Sequence, residues 1–391
     1  MNLKTAHNEW ASRPADQRFT SLDELELAVS NRRNLSKTVE VDVKQLTVKE
    51  VASRDGNGTT LAFNGIMVAT EPTHWSLGQV ATAAKLPCSY IRSIPTDLAV
   101  LNINHGIANR ADSGPVKLLT LSDTDGGMNR LTAMTSTRYG RIWDADCVNA
   151  VKRINEQAGG RFFNPKAYPH TGQPKGFGSI DSASAPVPSG LYASDHDVFM
   201  FMIDGGSRLE VGERAKLNRG FIVWNSEVGA KTLGITTFLF NEVCGNHIIW
   251  GAQDVNTMLV RHSSGAPARF DREAMPHLLD YINASAAPVE AALKKAAEIK
   301  LLDLLPAAAL VTDVSSDEFV KAFAGKFAKF SRGEIRDAVI YAKAEEGKCE
   351  TLWDMVQGLT ASAREYEWID ARMNLEQRAG SLLNIADELA N

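Results

Sequence analysis

Long hydrophobic runs are missing from this 391-residue chain. No stretch of about 18 apolar residues is present, which excludes a helix that crosses a membrane. The amino-terminal MNLKTAHNEWASRPADQ has no apolar core of the kind a secretory leader needs. Cysteine is scarce. Cys88, Cys147, Cys244 and Cys349 lie far apart, so a disulfide framework is not expected and a reducing cytoplasm is the natural compartment. An excess of positive charge is also lacking. With 42 Lys and Arg against 47 Asp and Glu, the net charge is −5, and no whole-chain basic field announces nucleic acid. Chemical motifs are absent as well. There is no G-x-x-x-x-G-K-[ST], no G-x-G-x-x-G after a strand and no G-x-S-x-G. Nucleotide hydrolysis, dinucleotide chemistry and the common hydrolase elbow are thereby disfavoured, and the reading leans away from an enzyme.

What is present is an ordinary globular mixture of 44% hydrophobic and 23% charged residues, long enough for two or three domains. Charge is uneven. Residues 267–391 carry 15 Lys and Arg against 21 Asp and Glu, whereas the preceding residues are nearly neutral, so an anion is better placed on the first part. Texture changes at the same place. TVEVDVKQLTV and TTLAFNGIMVAT read as strands around the hairpin signal Asp55-Gly56-Asn57-Gly58. VKLLTLSD and MNRLTAMTSTRY form a second pair. Val148, Val151 and Ile154, spaced three apart, predict an amphipathic helix capped by Asp144. Residues 159–190 read as a Gly/Pro-rich loop, and 191–261 as strands again. From about Asp271 the pattern is helical, with Pro276, Pro288 and Pro306 at breaks or first turns. Capping boxes are expected at Ser315–Glu318 and Ser331–Glu334, and Phe319, Phe323, Phe327 and Phe330 share one apolar face. The expected fold class is α+β: antiparallel hairpins packed with helices in an α+β core over 1–266, then a mostly helical region over 267–391. No doubly wound sheet is expected.

Several clusters could carry chemistry. Cys244-Gly245-Asn246-His247 has the spacing of two zinc ligands but no second pair completes a site, and a turn between strands explains it. No metal or cofactor is expected. Asp195-His196-Asp197 could raise a histidine pKa, yet on a strand the two carboxylates would share the face opposite His196, as at a solvated strand end. Asn225-Ser226-Glu227 could form a polar active site or a strand-to-turn transition ending at Gly229. Ala81, Leu86, Ile91 and Ile94 match the buried positions of a helix-turn-helix, with Lys85 where glycine is usual. Two short packed helices explain this equally.

Basic residues interleaved with aromatics between 138 and 219 suit a single strand, since cations hold phosphates while rings stack on bases. The candidate phosphate contacts are Arg138, Arg141, Lys152, Arg153, Arg208, Arg214, Lys216 and Arg219, with Tyr139 and Phe163 as stacking rings. The competing explanation is that the rings are core and the cations an ordinary solvated face.

THWSLGQVATAAKLPCSYIRSIP, TSTRYGRIWDADCVNAV and GFIVWNSEVGAKTLGITTFLFNEVCGNHIIWGAQ with the following Arg261-His262 resemble a phage- and plasmid-associated family designated domain of unknown function 932, over roughly residues 70–265. The resemblance implies mobile-element biology and a bacterial cytoplasm, without supplying a reaction. Members commonly have another residue where His247 stands, which speaks further against zinc. The expected function is therefore single-stranded DNA binding, extending to strand annealing in recombination, by a homo-oligomer without a membrane partner. The alternatives are an enzyme built on Asn225–Glu227, a non-catalytic anti-defence or interaction protein, and a duplex-specific regulator using residues 76–94.

Overall fold

The structure is a computed structural model that describes residues 13–53, 59–64, 69–111, 114–124, 127–164, 166–167, 187–188, 190–211, 215–241, 247–249, 257–306, 311–366 and 369–388. It is an α+β fold with two antiparallel-rich sheets and a helical carboxy-terminal region.

The first sheet has the order β1-β5-β6-β4-β3-β2, from β1 (Ser36–Asp42), β2 (Thr47–Ala52), β3 (Thr59–Asn64), β4 (Thr70–Pro72), β5 (Pro115–Leu121) and β6 (Asn129–Ser136). Both expected hairpins form. β2 pairs antiparallel with β3 and β5 with β6, while β4 against β6 is the one parallel pairing in this sheet. TVEVDVKQLTV is not a single strand. It breaks at the tight turn Val43–Gln45, where the Asp42 carboxylate accepts from the Lys44 amide, and its halves occupy opposite edges. One face of the sheet is covered by α2 (His74–Ala83), α3 (Cys88–Ser93) and α4 (Thr96–Ala108). Val80, Ala81, Ile91, Ile103 and Ile107 pack there against Val48, Leu61, Leu118 and Leu131.

The α2–α3 turn places Lys85 at φ +59, the left-handed position where the helix-turn-helix reading puts glycine. Ala81 and Ile91 are buried as that reading requires. The second helix has only six residues, and its Arg92 donates to the His74 carbonyl.

The second sheet runs β10 (Leu191–Ala193), β11 (Val198–Val211), β12 (Ala215–Asn225), β13 (Leu233–Asn241), β14 (His247–Ile249). β7 (Phe162–Phe163) pairs with β11, and β15 (Thr257–Val260) with β13. A separate pair, β8 (Lys166–Ala167) with β9 (Val187–Pro188), lies inside the expected 159–190 loop; the rest of that loop from 168 to 186 is outside the described residues. β12 is the central strand, and its residues 217–223 are buried on both faces. One face, through Met200, Met202, Phe221, Val223 and Ile235, packs against α1 (Leu22–Leu35) and α5 (Asp144–Gln157), and against a helix built from α6 (Ala266–Arg269), a π turn (Phe270–Ala274) and α7 (Met275–Asn283). The far end of the sheet, through Leu209, Leu217 and Leu239, joins the core of the remaining helices. These are α8 (Ala287–Glu298), α9 (Asp317–Lys326), α10 (Arg332–Glu346), α11 (Leu352–Ser362), α12 (Ile369–Gly380) and α13 (Leu383–Glu388). The helices beyond 266 are thus anchored on the sheet at both ends rather than tethered as a tail.

Pro276 and Pro288 stand in the first turns of α7 and α8, where a missing N–H costs nothing. The Ser331–Glu334 capping box forms on α10. The box expected at Ser315 shifts by one residue, because Ser316 is the cap and accepts from the Phe319 amide. Phe319, Phe323 and Phe330 are buried in one cluster with Phe327 packed against it.

Candidate functional site

Three turns converge beside the first strand pair of the second sheet. They are the link from β6 to α5 (residues 137–143), the turn from β12 to β13 (226–232) and the turn after β15 (261–265). Between them is a cleft of about 640 Å³ lined by Ser136, Arg138, Tyr139, Gly229, Ala230, Lys231, Thr232, Arg261, His262, Ser263 and Ser264. Among the described residues the lining holds three cations, two rings, four aliphatic hydroxyls and no carboxylate.

The walls are held from below. Trp75 Nε1 and Gln79 Nε2 of α2 both donate to the Val228 carbonyl, at 3.3 and 2.8 Å, and Gln79 Oε1 accepts from the Met134 amide. The Tyr139 hydroxyl donates to the Ser226 carbonyl at 3.0 Å. Burial pushes the Tyr139 pKa well up, so it stays a neutral phenol. Gly229, at φ +88, turns the chain under the Tyr139 ring, a conformation that a side chain would strain. Gly140 lets the first and third turns touch. A Cβ there would lie 1.9 Å from the Ser263 carbonyl oxygen, and the Gly140 amide donates to the His262 carbonyl. The Tyr139 and His262 rings stack at 5.0 Å.

Beneath the cleft is a buried ionic cluster. Arg32 of α1 reaches Asp144 at 2.6 Å and Glu227 at 3.1 Å and also donates to the Ser194 carbonyl. Asn225 donates to Asp144 and to the Ile142 carbonyl, and Glu227 accepts from the Asp144 amide. Asp144 is fully buried. Burial first, then the neighbouring Glu227 carboxylate, push its pKa up to about 7 against the pull of Arg32 and Asn225. Asp197 behaves in the opposite way. Burial alone would raise it, but the Ser194 hydroxyl, Lys231 and Arg13 together hold its pKa at about 2. Lys231 sits 3.0 Å from Asp197 and links this cluster to the cleft.

These contacts correct several expectations. Asp144 is not the helix cap. Trp143 holds the cap position without a side-chain bond, and Asp144 is the first helical residue, its carboxylate recruited by Arg32. Asp195-His196-Asp197 forms the β10–β11 turn rather than a solvated strand end, because Asp197 must be inside to hold Arg13 and Lys231. Asn225, Ser226 and Glu227 are buried, Ser226 donating to the His196 carbonyl and accepting from the Ala230 amide, while Asn225 Oδ1 has no hydrogen-bond partner among the described residues. They frame the cleft and leave no polar group open to substrate. Cys244 and the His247 side chain lie outside the described residues; among those described, no three His, Cys, Asp or Glu converge on a metal-sized position.

The proposed nucleic-acid residues separate. Arg138 and Tyr139 line the cleft. Arg141 is half-buried. It donates to the Glu227 carbonyl and lies over the Tyr139 and Trp143 rings, each at 5.5 Å. With the exposed Arg153 it lines a smaller cleft of about 270 Å³ that also contains Asp146 and Asp271. Lys152 bonds Asp23 and Glu26 at 2.6 Å each, so it is spent on carboxylates, which raise its pKa. Arg219 is buried and donates to the Tyr281 and Ala284 carbonyls, stacked over the Tyr281 ring at 4.4 Å; no phosphate can reach it. Phe163 is exposed but lies over Gly205 on β11, and Arg208 is exposed on the same strand, neither in the cleft. Arg214 and the Lys216 side chain lie outside the described residues. A single trough holding all ten is therefore not formed. Sequence reading missed Lys231, Arg261 and His262 as cleft residues, because they belong to turns far apart in the chain.

Of the exposed large apolar side chains, Leu98 and Leu101 share α4, with Tyr90 on the adjoining α3, whereas Leu27, Leu259 and Ile340 stand on separate elements. Among the described residues, no helix is long and apolar enough to cross a membrane. Comparison with protein-family models, curated proteins and solved structures returns no match for this chain.

Proposed function

We propose that this protein binds single-stranded nucleic acid through the cleft formed by Arg138, Tyr139, Lys231, Arg261 and His262. The observation that carries the reading is the pair Arg138 and Arg261. Both are exposed, both line the cleft, and neither forms an ion pair with a described residue, while the described lining has no carboxylate of its own and Asp197 pairs with Lys231 behind it. Unpaired guanidinium groups in a carboxylate-free concavity are suited to phosphate oxygens, which they meet with two parallel N–H donors. The Ser136, Thr232, Ser263 and Ser264 hydroxyls add neutral donors, and the Tyr139–His262 stack offers an aromatic surface to an unstacked base. Strand annealing fits the same reading, since it needs only a backbone grip that leaves the bases free to pair. Action in a bacterial cytoplasm as a homo-oligomer of phage or plasmid origin belongs to this proposal, on the strength of the sequence resemblance.

The test is a salt series. Binding of a fluorescent oligothymidylate should weaken linearly in log–log form, with a slope of about −1.4 if Arg138 and Arg261 each neutralise one phosphate at ~0.7 per contact, Lys231 being held by Asp197. Binding that is absent, or indifferent to salt, overturns the reading.

A further inference from the structure

Among the described residues of the cleft, His262 is the ring that can gain a charge near neutral pH. Its Nδ1 lies 3.2 Å from the Gly140 carbonyl oxygen, and the nearby Lys231 backbone also favours a charged ring. A neutral imidazole carries one N–H. With Nδ1–H given to Gly140, Nε2 is a buried nitrogen without a hydrogen bond. An imidazolium carries a second N–H on Nε2, which finds no acceptor among the described residues and is left for a phosphate oxygen.

Opposing protonation are burial and the charge of Arg141, which hold the His262 pKa below its ordinary value although the Gly140 and Lys231 backbones favour the charged form. The other charged groups lining the cleft, among the described residues, are Arg138, Lys231 and Arg261, all positive, with Tyr139 neutral and Asp197 paired with Lys231. What the ring lacks is a nearby negative charge, and a phosphate among these cations supplies one.

We propose that His262 couples ligand uptake to proton uptake, the bound phosphate being held by an imidazolium that the empty cleft does not keep. This rests on the phosphate-binding reading above. The sign follows from linkage. A group whose pKa is higher in the complex than in the free protein strengthens binding as pH falls through the interval between the two values.

The experiment measures oligothymidylate affinity from about pH 8 to about pH 5.5, a range chosen to bracket an ordinary histidine. Neither the diester backbone nor thymine titrates there. Affinity should rise toward low pH by roughly tenfold for each unit by which the ligand raises the imidazole pKa. His262→Gln, which cannot be protonated and removes the ring stacked on Tyr139, should bind more weakly at every pH and show a flat profile. Calorimetry in two buffers of different ionisation enthalpy reads the net proton uptake on binding, and the part lost in His262→Gln is that of the ring rather than of Asp144 beneath the cleft. A pH-independent affinity with no proton uptake, in a protein that does bind the oligonucleotide, overturns the coupling and leaves the cleft assignment standing. An unchanged slope in His262→Gln also overturns it. No binding at any pH removes both the coupling and the function beneath it.

Discussion

Arg32→Met is expected to cost the folded protein about 3–5 kcal/mol, because it leaves two buried carboxylates without their cation. Among the described residues, Arg32 is the guanidinium that reaches both Asp144 and Glu227, and Asp144 has no exposure to water. The loss should depend on pH. The Asp144 pKa in the folded protein already stands at about 7, above the ordinary carboxylate value of 3.8. A carboxyl with a raised folded pKa favours the folded state at low pH, and that contribution is lost as pH rises through the folded value. Without Arg32 the folded pKa climbs further. The deficit against the unmodified protein should therefore be largest above neutrality and shrink toward pH 4, where the carboxyl is protonated in both. Urea unfolding of the two proteins at several pH values checks this. A deficit below about 1 kcal/mol, typical of an exposed pair, would show that the cluster is solvated.

Reversing both cleft guanidiniums, Arg138→Glu with Arg261→Glu, should lower affinity for a short oligothymidylate in low salt by about 100-fold, taking ~1.4 kcal/mol for each guanidinium–phosphate bond removed. Folding should be unaffected, since neither side chain is buried or ion-paired with a described residue. Arg208→Glu, on the exposed β11 surface away from the cleft, serves as the matched control and should change little. Arg141→Glu is unsuitable for this purpose. Its guanidinium holds the Glu227 carbonyl and two aromatic faces, so weaker binding there would follow from damage to the fold. An undiminished affinity in the double variant, or an equal loss in Arg208→Glu, would remove the cleft as the site.

How far the sequence reveals the molecule depends on the range of the interactions involved. The β2–β3 hairpin and the Ser331 capping box are legible because a few adjacent residues determine them. The amphipathic face of α5 is legible from spacing alone, yet its Asp144 is misread as a cap, since nothing local announces an arginine more than a hundred residues away. The break in TVEVDVKQLTV is equally silent. Sending β1 to the β5 edge is decided by pairing across the sheet, not by the turn itself.

The site fails along the chain for the same reason. Clustering of cations in sequence brings Lys152 and Arg219 forward, although Asp23 and Glu26 of α1 claim the first and backbone carbonyls at the end of α7 claim the second. Arg219 carries one usable hint. It lies within the apolar strand ending FIVWN, and a central strand covered on both faces has no solvated side for a guanidinium. The cleft itself needs three turns brought together, which no window of sequence contains.

The most direct measurement of the central claim is photocross-linking of an oligonucleotide carrying 5-bromouracil, followed by mapping of the joined peptides. Aromatic side chains in contact with the base are the favoured partners. Adducts at Tyr139 or His262, abolished when Arg138 and Arg261 are reversed, are the predicted result. Adducts confined to the β11–β12 hairpin around Arg208, or to Phe163, would contradict the account.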